Sequence, residues 1–143
     1  MNSEKNCIEF QIVDSWPKEE IVNLYKSGGW WKDTYNPSRI ESLIKGSYAF
    51  CIAIEKKSGK AIGMGRIISD GISDAYLQDI VILKKYRKQG IGKKLVKYLI
   101  DYCKSKGIIW LLLIAEPNQD SFYKLLGFKK MENYVPMKYR REE

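Results

Sequence analysis

Apolar and polar residues alternate from Ile8 to Val13, and this period of two predicts a first strand. Asp14-Ser15-Trp16-Pro17 then reads as a turn and helix start, with Asp14 or Ser15 as cap and Pro17 near the first helical turn. Ile21, Leu24 and Tyr25 recur at helical spacing until Gly28-Gly29 ends the helix. The aromatic stretch Trp30-Trp31-Lys32-Asp33-Thr34-Tyr35 is expected to be a loop. Asn36-Pro37-Ser38 starts a second helix whose apolar residues are Ile40, Leu43 and Ile44.

The pattern then changes period. Residues 48–55 form an apolar strand, Lys57-Ser58-Gly59-Lys60 a hairpin turn, and residues 61–69 the returning strand. After a turn at Asp70-Gly71, residues 75–83 give the central strand. Residues 90–106 return to helical spacing: Ile91, Leu95, Leu99 and Cys103 share one face with Val96 and Ile100, and Gly107 stops the helix. Residues 108–115 are almost continuously apolar, which predicts an interior strand buried on both faces. Glu116-Pro117-Asn118 breaks that run. A short helix over 120–126 ends at Gly127, and residues 128–140 are expected to hold one or two final strands. The sum is an α+β fold with a mixed sheet.

Composition narrows the class. At 143 residues, with 45% hydrophobic, 13% aromatic and 29% charged positions, the chain fits a single domain over 1–143 with a real core. No apolar run approaches the roughly 20 residues that span a bilayer. Met1-Asn2-Ser3-Glu4-Lys5-Asn6 lacks the layout of a signal peptide. A soluble, cytoplasmic protein without a membrane partner is expected.

Three dispersed cysteines (Cys7, Cys51, Cys103) and no histidine argue against a structural zinc site, so no metal is expected. The same lack of histidine removes the common Ser-His and Cys-His nucleophile pairs. The net charge of +8 fits either a solvated basic surface or attraction of a polyanion. Lys84, Lys85, Arg87, Lys88, Lys93 and Lys94 cluster around a glycine pair, which favours a local phosphate site over a nucleic-acid face.

That pair lies in Arg87-Lys88-Gln89-Gly90-Ile91-Gly92-Lys93, between the central strand and the long helix. Amides at a helix N-terminus have no intrahelical acceptor, and the helix dipole adds positive charge. Glycines let a phosphate approach the backbone closely. A Walker loop would need a different glycine spacing. The dinucleotide fingerprint would need glycine where Leu95 stands.

Arg87-Lys88-Gln89-Gly90-Ile91-Gly92 resembles the (Gln/Arg)-x-x-Gly-x-(Gly/Ala) signature of the GCN5-related N-acetyltransferase (GNAT) superfamily. The resemblance extends upstream through Leu77-Gln78-Asp79-Ile80-Val81-Ile82 and downstream to Phe122-Tyr123-Lys124-Leu125-Leu126-Gly127-Phe128. It implies a mostly antiparallel sheet of six to seven strands with about four helices, whose central strands splay to admit acetyl-CoA. The cosubstrate's pyrophosphate would lie on the amides of 88–93. Its pantetheine would run beside Ile80, Val81 and Ile82, with a strand amide near Ile80 polarising the thioester carbonyl. A primary amine, of a small molecule or an amino terminus, would attack directly.

The resemblance also assigns Tyr123 as the acid that protonates the departing thiolate. A glutamate that many members carry on the fifth strand, five residues before an asparagine that touches the cofactor, is Leu113 here if Asn118 is that asparagine. Glu116, Asp79 and Asp70 are the remaining candidate bases, acting directly or through water. Trp30, Trp31 and Tyr35 fall in the segment that caps the acceptor site, where an aromatic wall could hold an amine or stack an aryl group. Family members often dimerise, so a homodimer stays open. The missing glutamate motivates one alternative, a non-catalytic CoA-binding sensor or partner module.

Overall fold

A computed structural model describes residues 7–141, so the stretch up to Asn6 lies outside the described residues. Two compact units make up the chain, one ending at Leu113 and the other beginning at Ile114.

The first unit is a five-stranded sheet in the order β1 (Ile8–Ile12), β2 (Ala49–Glu55), β3 (Lys60–Ser69), β4 (Asp74–Ile82), β5 (Trp110–Leu112). All neighbours pair antiparallel except β4 and β5, which run parallel. Its helices are α1 (Lys18–Ser27), α2 (Ile40–Gly46) and α3 (Ile91–Ser105). β2 is the buried centre of the antiparallel part, and its residues from Ala49 to Ile54 are all enclosed. Helix α1 contributes Ile21, Leu24 and Tyr25, and α2 contributes Ile40 and Ile44, to one core cluster with Phe50, Ile52, Met64 and Val81. Helix α3 buries Ile91, Leu95, Val96, Leu99 and Cys103, the face that its spacing predicts.

The start of α1 differs from expectation. Its cap is Pro17, with no side-chain cap bond from Asp14 or Ser15. Glu20 instead ties this end down: its Oε1 accepts from Trp16 Nε1 at 3.2 Å and from the Ala61 backbone N–H at 2.7 Å. The second helix starts as read, with Asn36 Oδ1 accepting from the Ser38 N–H at 3.0 Å before a short 3-10 turn at Pro37–Arg39.

Two strand expectations fail. The apolar run 108–115 contains only the three-residue β5, and Ile109 is 87% exposed. Among the described residues β5 lies at the sheet edge with β4 as its one strand neighbour, so continuous hydrophobicity did not signal an interior strand. Residues 128–140 form no strand among the described residues, which leaves five strands where six to seven were expected. Left-handed Asn133 (φ 65°) interrupts extension, and Pro136 lacks the N–H that a ladder needs. The second unit keeps one short helix, α4 (Asp120–Lys124). No helix among the described residues is long and apolar enough to cross a membrane.

Candidate active site

The parallel pairing of β4 and β5 covers only Asp74–Trp110, Ala75–Leu111 and Tyr76–Leu112. β4 continues to Ile82, past the end of β5 at Leu112, so its edge from Leu77 onward has no ladder partner on that side among the described residues. A strand edge of this kind offers N–H and C=O groups to any extended chain laid beside it.

At the end of that edge the chain turns through Lys84–Tyr86 into α3. Tyr86 OH donates to Glu55 Oε2 at 2.7 Å, which pins the turn to the β2–β3 hairpin. Lys88 (φ 63°) and Gly90 (φ 79°) both take left-handed backbone angles. Alternating backbone of this type turns successive N–H groups toward one concavity. The first helical bond of α3 runs from Lys94 N–H to the Gly90 carbonyl at 3.2 Å. The amides of Ile91, Gly92 and Lys93 therefore precede it without intrahelical acceptors. Lys88, Gln89, Gly90, Lys93 and Lys94 are all exposed.

Arg87 behaves differently from its neighbours. Its Nε donates to the Ile82 carbonyl at 2.7 Å, and Nη2 reaches the carbonyl and Oγ of Ser27 at 3.4 and 3.3 Å. The guanidinium thus braces the base of the loop. Its charge still adds to the local positive potential.

β4 carries a bulge at its middle. Arg66 pairs with Gln78 and Met64 with Val81, so Gly65 alone faces both Asp79 and Ile80. Asp79 has φ 59° and stands between two donors: Tyr25 OH at 2.8 Å and Arg66 Nε at 2.6 Å, both on Oδ2. Burial first, then the charge of Asp79, raises the Tyr25 phenol above its ordinary range. Asp79 is thus committed to a half-buried ion pair. The sequence marked Tyr25 only as part of the apolar face of α1 and did not mark Arg66 at all. The adjacent polar pair Gln78-Asp79 inside an apolar strand was the one available signal.

Trp30 and Trp31 are half-buried and pack against the core cluster beside Tyr25. Their rings lie 6.3 and 6.5 Å from the Tyr25 ring, and Tyr35 meets Trp31 edge-on at 5.5 Å. Tyr35 is the most exposed of the three.

In the second unit, the Gln119 N–H donates to the Glu116 carbonyl at 3.0 Å, forming a turn that contains left-handed Asn118 (φ 66°). Tyr123 is half-buried, with Phe122 and Phe128 edge-on at 5.0 and 5.8 Å. Burial, and then the nearby Glu116 charge, raise its phenol pKa. Such a group stays protonated through neutral pH.

The parallel strand pair, the free edge of β4 and the uncapped amides of α3 thus lie in one compact unit. The chain belongs to the acetyltransferase (GNAT) family, whose sequence pattern it matches over residues 13–128. It is 31% identical over 136 residues to an uncharacterized N-acetyltransferase, ycf52, of Pyropia yezoensis, covering 89% of this chain and 77% of that protein. A GNAT-family acetyltransferase from Streptococcus pneumoniae superposes with a TM-score of 0.79 at 23% identity, over 96% of this chain and 100% of that one. AAC(6')-Iy, solved with the bisubstrate analogue CoA-S-monomethyl-acetylneamine, superposes with a TM-score of 0.72 at 19% identity, over 94% and 99%. The chain is thus an N-acetyltransferase that moves acetyl from acetyl-CoA to an amine. A non-catalytic CoA-binding role finds no support among these relatives.

Proposed function

We propose that the acceptor is a primary amine, on a small molecule or an amino terminus, and that transfer is direct. The observation that carries this reading is the open β4 edge ending at the uncapped amides of α3. In the proposal, the amides of 88–93 hold the pyrophosphate of acetyl-CoA, with Lys88, Gln89 and Lys93 nearest to it. The backbone of Ile80, Val81 and Ile82 pairs with pantetheine, and an amide near Ile80 polarises the thioester carbonyl. Asn118 is assigned a further cofactor contact.

Tyr123 gives its proton to the leaving sulfur. The phenol is fully protonated at neutral pH, which is the form a proton donor to the thiolate must have. Glu116 takes the amine's proton through water. It is chosen because its charge acts on Tyr123, the proposed acid. Trp30, Trp31 and Tyr35 face the acceptor in this reading, which suits an amine next to an aryl group.

The family pattern runs through both compact units, which supports treating the chain as one catalytic domain. The lysines around Gly90 are assigned to the cosubstrate, with no nucleic-acid role. We place the enzyme in the cytoplasm, because an intracellular compartment supplies CoA thioesters; a homodimer is compatible with the proposal. The test is CoA release across an amine panel, with thermal melting in acetyl-CoA alongside. Saturable release with an arylalkylamine and a rise in melting temperature are expected. Acetylation of no amine, despite acetyl-CoA binding, would remove the acceptor assignment.

A further inference from the structure

The bulge in β4 changes which residues face which side of the sheet. Gln78 lies opposite Arg66, and Asp79 bonds the same Arg66, so two consecutive residues share the α1 face. Beyond them the alternation is reversed. Val81 joins Ile21, Leu24 and Tyr25 in the core cluster, while Ile80 lies over Gly65 toward Leu99 of α3. Glycine at residue 65 leaves room for the tips of Ile80 and Leu99, which a side chain there would have to displace. Relaxing the angle at Asp79 would re-aim the backbone groups of Asp79 and Ile80, while pairing with β3 still holds Val81 opposite Met64 and Ile82 opposite Gly63.

The bulge rests on Asp79 in the left-handed region, which side chains other than glycine, asparagine and aspartate rarely adopt. Something must hold it there. Tyr25 OH and Arg66 Nε converge on one oxygen of its carboxylate, and Arg66 Nη1 reaches Ser47 Oγ at 3.4 Å. The ion pair is only about one-fifth exposed (18% for Arg66, 23% for Asp79), so solvent does little to replace either donor. The Tyr25 ring also packs beside Trp30 and Trp31.

We propose that Tyr25 and Arg66 are positioning residues for acetyl transfer: their shared grip on Asp79 fixes the β4 bulge at Ile80, and the Tyr25 ring carries that setting to the Trp30–Trp31 loop. The proposal rests on the reading that the β4 edge receives acetyl-CoA. It gives Asp79 a conformational task instead of that of a base. Tyr25 and Arg66 act on the reaction through Asp79 and the backbone it shapes.

The test needs no acceptor. Dissociation constants for acetyl-CoA and for CoA are measured by isothermal titration on the full chain. CoA shares the pyrophosphate and pantetheine but lacks the acetyl carbonyl that an amide near Ile80 would meet. In Tyr25→Phe and Asp79→Ala, acetyl-CoA affinity should fall about tenfold, the scale of one lost hydrogen bond to a charged group in the first and of a left-handed alanine's penalty in the second. CoA affinity should stay within about twofold. Asp79→Gly accepts φ > 0 without a side chain and should recover most of the loss. Asp79→Asn, which tolerates that angle and still accepts from Tyr25, should recover more.

Equal weakening of both ligands in Tyr25→Phe would overturn the proposal while leaving the cosubstrate site intact, and so would an unchanged ratio. Asp79→Gly behaving like Asp79→Ala would do the same. Should Asp79→Ala fail to fold, Tyr25→Phe alone decides. If the unmodified protein binds neither acetyl-CoA nor CoA, the underlying reading falls and the proposal with it.

Discussion

Arg87 turns its guanidinium back onto the strand it follows, with Nε donating to the Ile82 carbonyl at 2.7 Å. The first residue of the glycine signature therefore acts as a brace between the end of β4 and, through Ser27, the end of α1. Arg87→Ala should lower stability by about 1 kcal/mol and weaken acetyl-CoA and CoA together by roughly tenfold. Arg87→Lys should rescue little, because an ammonium cannot reproduce the planar fork. Urea melts and titration calorimetry measure both effects. Full affinity in Arg87→Lys would mean that charge alone matters at this position.

Gly90 has φ 79°, and the space where a side chain would begin holds no protein atom. Gly90→Ala should therefore cost about 1–2 kcal/mol from the backbone angle, without a steric clash inside the protein. The larger effect should be on acetyl-CoA, whose phosphates would meet the new methyl group. Melting temperature and affinity measured on one preparation separate the two. A fall in stability with affinity unchanged would place the phosphates elsewhere.

The strong periodic signals were readable in the sequence. Helix α3 buries the stripe of Ile91, Leu95, Leu99 and Cys103, and the glycine pair stands at its N-terminus as spacing required. Tertiary features were not readable. Residues 108–115 look like an interior strand because hydrophobicity reports apolar surface without saying which neighbour covers it. The bulge at Asp79 was equally hidden. It depends on Arg66 from β3 and Tyr25 from α1, partners far away in sequence that alternation within one strand cannot reveal. Proline and a left-handed asparagine in 128–140 were visible, yet the aromatic and apolar residues around them suggested strands.

Tyr123 makes a pH prediction with a definite sign. An acid must be protonated to act, and burial together with Glu116 raises its pKa above the ordinary phenol value of about 10. The alkaline fall in kcat should therefore lie above that value. Glu116→Gln removes the negative neighbour and should move the fall to lower pH. Tyr123→Phe should reduce kcat about 10²-fold, within the range of general acid catalysis, and abolish the alkaline limb. An alkaline limb that persists in Tyr123→Phe would assign the proton to another group.

The thiols give an independent check on the core. Burial pushes Cys51 up to about 12 and also raises Cys103, whereas Cys7 is exposed. A thiol reagent at pH 8 should label Cys7 rapidly and the other two only on unfolding. Above about pH 8.5 the unfolded thiols release protons that the folded ones keep, so stability should decline as pH rises from there. Cys51→Val should flatten that decline in urea midpoints measured between pH 8 and 10.5. Rapid labelling of all three thiols in the native protein would contradict the packing of β2.

In the proposed site, the amides between Lys88 and Lys93 hold the pyrophosphate of acetyl-CoA, with the β4 edge alongside the rest of the molecule. Backbone amide chemical shifts, followed by nitrogen–proton correlation spectra during titration with CoA, test it residue by residue. Saturable shifts are expected, largest at Gly90, Ile91, Gly92 and Lys93, with a second group at Ile80 to Ile82. Saturable binding that leaves those amides unmoved would contradict that site.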